Sequence, residues 1–396
     1  MSHKLISLSP DLAKLRNEGF DIQVKSACLL VKDVPYVTSK KEVKHGILVS
    51  KLMLAGDITT KPDDHIAYFI GEHPCDSNGS KLEAIANATQ PFHLGEGVDA
   101  DHRFSARPLP TGVYPDYYDK VNAYVDRISD PAVVLEPGVT AKTFNVVGSD
   151  GPDSVFHYED TASTRSEITA VMSKLRLQKI AIVGLGGTGS YVLDMVAKTP
   201  VKEIHLYDED TFFQHNAFRA PGAPSLTDLR AKPRKVDYLK AIYSNMHKGV
   251  VAHPFHITAS NVEDLRDMQF VFICMDKGSP KRVIVEKLEA LGITFIDVGM
   301  GVVITNETLG GIVSVTTSTA QHRAHVRENN RISFADGDAQ AEYNTNIQIA
   351  DLNALNAVMA IIKWKTLCGF YHDYAHELHS SYLIGSNKIL NEDLVV

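Results

Sequence analysis

The residues from Lys179 to Ala220 hold the densest chemical signal in the chain: KIAIVGLGGTGSYVLDMVAKTPVKEIHLYDEDTFFQHNAFRA. Gly184, Gly186, Gly187 and Gly189 satisfy the spacing GxGxxG, with one extra glycine inside it. An apolar run, Ile180 to Val183, leads into this loop, and a helical pattern, roughly Ser190 to Lys198, leads out of it. Glycines let backbone approach a phosphate, and the N–H groups of a helix start favour an anion. Asp208, at the end of the second apolar run, is placed to bind ribose hydroxyls, which suits NAD, FAD or ATP equally.

The residues downstream separate these ligands. Asp208-Glu209-Asp210 is followed by Asn216 and Arg219, then by a helix opening Lys232-Pro-Arg-Lys235-Val, and the apolar run FVFICM ends at Asp276. One carboxylate for ribose, cations for phosphates and another carboxylate for Mg²⁺ form a set suited to a triphosphate. Lys232 competes with Lys235 for the phosphate role, because both sit at one helix start. Asp210 either meets metal or phosphate directly or supports the groups that do.

Taken together, GxGGxGS, DxD, NxxR, KV and CxD resemble the ThiF-type superfamily, which includes ubiquitin-activating enzymes and the adenylyltransferases that activate sulfur carriers. The resemblance spans roughly Tyr158 to Leu367. It implies a Rossmann-like adenylation domain that binds ATP and Mg²⁺. Gly184, Gly186, Gly187 and Gly189 would shape the nucleotide loop and Asp208 would hold the ribose. Asn216, Arg219 and Lys235 would stabilise the phosphates, and Asp276 would hold Mg²⁺. Arg165, in YEDTASTR, is similar to the arginine that this family lends to a neighbouring subunit's ATP, which implies a homodimer. The implied reaction is attack by a C-terminal glycine carboxylate of a ubiquitin-like or sulfur-carrier protein on the α-phosphate, with loss of pyrophosphate. An added N-terminal region and missing zinc cysteines make the chain most similar to bacterial members found with ubiquitin-like conjugation components.

One feature departs from the family. Thr317 to Tyr343, the polar stretch where activating enzymes carry their cysteine, has none. Of Cys28, Cys75, Cys274 and Cys368, the best candidate thiol is Cys75, in the turn-like and apparently exposed GEHPCDSNG. The expectation is therefore that any thioester forms on a separate conjugating enzyme. Two rival readings stay open: an NAD-dependent Rossmann oxidoreductase, and a catalytically silent scaffold of the same fold.

These residues need a scaffold. From about Phe156 the pattern alternates strand and helix. Strands are predicted at 179–183, 203–207, 250–254, 270–274 and 294–298, and helices at 232–246 and 279–291, as in a doubly wound α/β sheet. A strand-like Gly311–Thr316 follows, then the polar loop. Ile347 to Leu367 reads as an amphipathic helix with a stripe of Ile347, Ile349, Leu352, Leu355, Val358, Met359 and Ile362. The first region looks like a smaller β-rich (α+β) domain, with strands within 20–37, 46–55 and 65–71, helices at Pro10–Asn17 and Tyr114–Ile128, and a loop from Cys75 to Pro110. The expected division is 1–150, an accessory domain for partner recognition, and 156–396, the adenylation domain. His372, His376 and His379 would share one helix face and could bind zinc, as could His73, Cys75, His93 and His102; in both cases plain structural roles are the default.

A net charge of −8 argues against nonspecific nucleic-acid binding. Four scattered cysteines without a CxxC pair exclude a four-cysteine zinc ribbon and, with no leader-like start, point to a reducing cytoplasm. No apolar run approaches the ~20 residues that span a bilayer.

Overall fold

The computed structural model describes residues 2–149, 154–166, 168–276, 278–334 and 347–395, with the side chains of 2–4, 164 and 165 left aside. The chain forms two compact units: residues 1–147 with 160–167, and residues 148–159 with 168–396.

The first unit opens with helices α1 (Ser2–Leu8) and α2 (Pro10–Asn17). Its strands are β1 (Ile22–Lys25), β2 (Cys28–Val37), β3 (Val43–Lys51), the short pair β4 (Leu54–Ala55) and β5 (Ile58–Thr59), β6 (Ile66–Ile70), β7 (Ala86–Gly95) and β8 (Val98–Ser105). An antiparallel sheet runs β1-β2-β3-β6-β8-β7. Helix α3 (Tyr117–Leu135) packs Tyr117, Val121, Tyr124 and Ile128 against Leu29, Val31, Leu48, Phe69 and Phe104 of that sheet. The α3 tyrosines also cap loop backbone: Met53 N–H donates to the Tyr117 hydroxyl at 2.7 Å and Ala106 N–H to the Tyr124 hydroxyl at 2.8 Å. A short α4 (Thr161–Arg165) belongs to this unit. The stretch expected to be loop from Cys75 to Pro110 instead contains the β7–β8 hairpin. Its inward positions include Ala100 and His102, so counting apolar residues undersells it.

The second unit contains α5 (Thr169–Met172), β9 (Lys179–Val183), α6 (Gly187–Val196), β10 (Glu203–Tyr207), α7 (Gln214–Ala217), α8 (Leu226–Ala231), α9 (Lys235–Tyr243), β11 (Val250–His253), β12 (Phe270–Ile273), α10 (Gly278–Leu291), β13 (Thr294–Thr305), β14 (Thr308–Ser318), α11 (His325–Glu328), α12 (Ala350–Leu367), β15 (Glu377–Leu383) and β16 (Lys388–Leu394). The sheet order is β11-β10-β9-β12-β13-β14-β15-β16. The first five are parallel and β14 to β16 are antiparallel. Alternate residues of β9 feed opposite layers: Ile180 and Ile182 meet α6 and α12, whereas Ala181 and Val183 share a cluster with Ile284, Val285 and Leu288 of α10. Burial on both faces explains why these strands read as continuous apolar runs.

Three expectations change. The stripe read on the last long helix is only part of its buried surface: Leu352 is buried and Ile347, Ile349, Leu355 and Met359 pack around it, but Val358 and Ile362 are exposed, and Asn353, Asn356, Ala357, Ala360 and Trp364 are buried as well. The polar stretch after 316 begins with the end of β14 and contains α11; residues 335–346 of it lie outside the described residues. His372, His376 and His379 do not share a helix face, because His379 lies in β15 and the residues before Glu377 form turns.

Candidate active site

Strand order reverses between β9 and β12, which pair in parallel. In open α/β sheets such a reversal leaves a crevice beyond the carboxyl ends of the strands. The glycine loop follows β9, Asp208 follows β10, and Cys274 to Asp276 follow β12, so the topology gathers these motifs at one edge.

The glycines do separate jobs. Gly184 has φ +91°, and a Cβ there would sit 2.6 Å from the Cys274 carbonyl oxygen. A Cβ on Gly189 would sit 2.0 Å from the Gly184 carbonyl oxygen, so this glycine lets α6 close onto the loop. A Cβ on Gly187 would sit 2.0 Å from Nδ2 of Asn353. Gly186, the residue that caps α6, has only Gln348 Oε1 at 4.0 Å, so it alone of the four faces open space.

Asp208 is 4 % exposed and locks the loop to the second strand. Its Oδ2 accepts from Leu185 N–H at 2.7 Å and its Oδ1 from Asp210 N–H at 2.9 Å. Lys235, buried in the first turn of α9, places Nζ 2.7 Å from Asp210 and 3.7 Å from Asp208. Its rival Lys232 is exposed, in a left-handed conformation at the end of α8. Asn216 is buried in α7 and its Oδ1 accepts from Phe213 N–H at 2.8 Å. Arg219 N–H donates to the Asn216 carbonyl at 3.1 Å, and Arg219 Nε is buried without a hydrogen-bond partner among the described residues. Burial, then the charges of Arg219 and Lys235, holds His215 below the usual imidazole range, so these two cations act on a common neighbourhood.

The third side of the site comes from elements that the motifs did not include. Gln348 Nε2 donates to Asp276 Oδ2 at 3.2 Å. Asn353 of α12 accepts from Thr188 Oγ1 at 3.1 Å and donates to the Arg219 carbonyl at 3.3 Å. Asn356 donates to the Gly299 carbonyl at 2.9 Å. These amides, with Gly186, Gly187, Asp276 and Gly299, line a recess beside the loop. Behind it, Lys281 of α10 and Asp297 of β13 form a buried ion pair at 2.8 Å. Burial pushes the Asp297 carboxyl up against the pull of Lys281, and burial also pushes up the thiol of Cys274, a half-buried residue at the wall of the recess. The asparagines stood in the helical pattern of α12, but nothing in their spacing marked them as site residues.

The Arg165 side chain lies outside the described residues, and its helix belongs to the first unit. Cys75 is not an exposed thiol. It is 1 % exposed, bridges between Val37 and Lys81, donates to the His73 carbonyl at 3.4 Å, and burial raises its pKa. Among the described residues no three His, Cys, Asp or Glu side chains gather as a metal site, which includes the histidines considered for zinc. Nor, among them, is any helix long and apolar enough to cross a membrane.

Comparison with known proteins identifies the second unit. The ThiF family model matches residues 158–379, more than half of the chain. The chain belongs to the ThiF family. Its N-terminal region, residues 10–161, matches a domain of unknown function, DUF6791. No curated protein matches the sequence. Similar solved structures include PaaA, at 17 % identity over 57 % of this chain and 76 % of that one, with a TM-score of 0.44. They also include E. coli MccB with ATP, at 16 % identity over 57 % and 66 % of the two chains, with a TM-score of 0.45. Membership of the family supports adenylation chemistry of the ubiquitin-activating-enzyme-like kind.

Proposed function

We propose that this ThiF-family chain uses ATP to adenylate the C-terminal glycine of a ubiquitin-like or sulfur-carrier protein, within a bacterial ubiquitin-like conjugation pathway. The observation that carries this reading is the gathering of Asp208, Lys235, the Asn216–Arg219 segment and Asp276 around one glycine loop at the strand-order reversal. The residues fit a nucleotide: Gly186 leaves open space at a helix start, and Arg219 has a buried Nε with no hydrogen-bond partner among the described residues.

In this mechanism Asp208, already fixed by two backbone N–H donors, accepts from ribose hydroxyls. Gly186 admits the phosphates to the start of α6. Arg219 grips phosphate oxygens with its fork, Lys235 adds a point charge, and Asn216 completes the set. Asp276 is the carboxylate that would hold Mg²⁺ together with phosphate oxygens, and Mg²⁺ when bound would offset the triphosphate's charge. The acceptor's carboxylate oxygen bonds to the α-phosphorus, the bond to the β-phosphate bridge oxygen breaks, and pyrophosphate departs with that electron pair. The chain supplies position and charge and no nucleophile. Burial of Cys75 supports thioester formation on a separate conjugating enzyme. A homodimer belongs to the same reading, and the exposed Val358 and Ile362 of α12 support it.

ATP–pyrophosphate exchange with candidate carriers tests the proposal. The expected result is exchange that requires Mg²⁺, the carrier's terminal glycine and Asp276, and that Asp276→Ala lowers on the order of 100-fold. Silence with every carrier, alongside an intact fold, would overturn it in favour of a scaffold.

A further inference from the structure

We infer that Asn353 is a positioning residue that sets Arg219 and the glycine loop relative to each other. It is 1 % exposed, on the face of α12 that packs against α6. Both halves of its amide are used, and each serves a different segment. Oδ1 accepts from Thr188 Oγ1 at 3.1 Å, in the first turn of α6, and Nδ2 donates to the Arg219 carbonyl at 3.3 Å. Gly187 makes room for it, since a Cβ there would lie 2.0 Å from Nδ2 and 2.3 Å from Cγ. Three points, two bonded and one steric, therefore converge on a single side chain.

The Arg219 end depends on this tie. Among the described residues, the other hydrogen bonds of residues 213–219 stay within that segment: Asn216 N–H to the Phe213 carbonyl at 2.9 Å, Phe213 N–H to Asn216 Oδ1 at 2.8 Å, and Arg219 N–H to the Asn216 carbonyl at 3.1 Å. Local bonds shape the turn. Its N-terminal end is held by Phe212, whose N–H donates to the Pro233 carbonyl at 2.8 Å and whose ring packs against Tyr238. Asn353 holds the Arg219 end, from a helix far along the chain. An amide suits this position because it carries a donor and an acceptor on one short fork. Aspartate keeps only the acceptor, and alanine keeps neither. The consequence for catalysis rests on the adenylation reading; the structural tie does not.

The test uses the full chain with Asn353→Ala and Asn353→Asp, followed first by amide hydrogen exchange without ligand. Asn353→Ala is expected to speed exchange on the order of 10-fold at residues 185–190 and 213–220, with β9, β10 and β12 unchanged. Asn353→Asp is expected to affect 213–220 while sparing 185–190, because it still accepts from Thr188. Unchanged protection at 213–220 in both variants, or a uniform loss across the chain, overturns the inference. Pyrophosphate exchange then reads the catalytic effect. Asn353→Ala is expected to lower kcat on the order of 10- to 100-fold with the KM for the carrier unchanged. Gly187→Ala alone is expected to be defective, and Gly187→Ala with Asn353→Ala no worse than Asn353→Ala alone, because the clash goes with the amide. Additive losses contradict the shared contact. A wild-type chain silent in pyrophosphate exchange, with the local protection pattern intact, removes the adenylation reading and leaves the positioning role. Active wild type with no local change does the reverse.

Discussion

Lys281 and Asp297 lie 2.8 Å apart with side chains only 8 % and 5 % exposed, so each charge depends on the other. Removing one partner strands a buried charge, whereas removing both leaves an apolar contact of similar size. Lys281→Met is expected to cost about 3 kcal/mol, and the pair Lys281→Met with Asp297→Leu is expected to regain most of it. Urea denaturation of the single and double variants checks this, and a double variant as unstable as the single would remove the pair from the argument. The pair was invisible in the sequence because its members come from separate elements, α10 and β13, and neither belongs to a motif. Asp208, Lys235, Arg219 and Asp276 stand out because carboxylates and cations cluster in type and spacing after a glycine loop. Asn353 does not, since an asparagine in a helix has no spacing that announces a partner 134 residues away. Cys75 misled in the other direction. Its Asp, Asn, Gly and Pro neighbours are turn formers, yet the backbone bridges to Val37 and Lys81 hold the thiol inside.

At the scale of elements, close packing outweighs intrinsic preference at Gly189. Alanine gains about 1 kcal/mol over glycine inside a helix. Here its Cβ would meet the Gly184 carbonyl oxygen at 2.0 Å, and that atom is backbone in the loop itself. Overpacking of this kind costs about 1–3 kcal/mol or more, so Gly189→Ala is expected to lower Tm despite its better helix propensity and, on the proposed adenylation reading, to weaken ATP binding. An unchanged or higher Tm would show that the loop yields freely. The strands around this loop were legible because they are buried on both faces and contain little but apolar residues. β9 and β10 match their predicted ranges of 179–183 and 203–207. β13 runs past the predicted 294–298 to Thr305, where its last residues include the exposed Val303 and Ile304 and lose the apolar run that marks a buried strand. β15 and β16 were missed altogether. Their sequences, ELHSSYL and KILNEDL, place His379 and Ser381 inward and expose Ile389 and Leu394, so alternation of apolar and polar residues fails as a guide.

Over the whole molecule, the chain passes between its two compact units more than once: residues 148–159 belong to the second, 160–167 to the first, and 168 onward to the second again. Phe156 bridges to His247, Lys248 N–H donates to the Val155 carbonyl at 2.7 Å, and His157 N–H to the Met246 carbonyl at 2.9 Å. A fragment of residues 148–396 is therefore expected to melt higher than one of 168–396, and equal melting would show that this segment adds nothing. His247, at the centre of those contacts, also links stability to pH. It is fully buried; Nε2 donates to the Val201 carbonyl at 2.8 Å, and Nδ1 accepts from Gly249 N–H at 3.0 Å. Both nitrogens are committed in the neutral form, and burial lowers the pKa below its ordinary 6.5. Burial lowers His102, His253, His325 and His379 as well. As pH falls through about 6.5, the unfolded chain takes up protons that the folded chain refuses. The stability these groups contribute is thus complete above that value and is lost as pH falls toward their folded pKa values, by up to about 1.4 kcal/mol per pH unit for each. Urea midpoints are expected to hold steady above about pH 7 and to fall below about pH 6.5, before the carboxylates titrate. His247→Gln should flatten part of that slope while lowering the midpoint at neutral pH. A midpoint that stays level down to about pH 5 would show that the buried histidines accept protons in place.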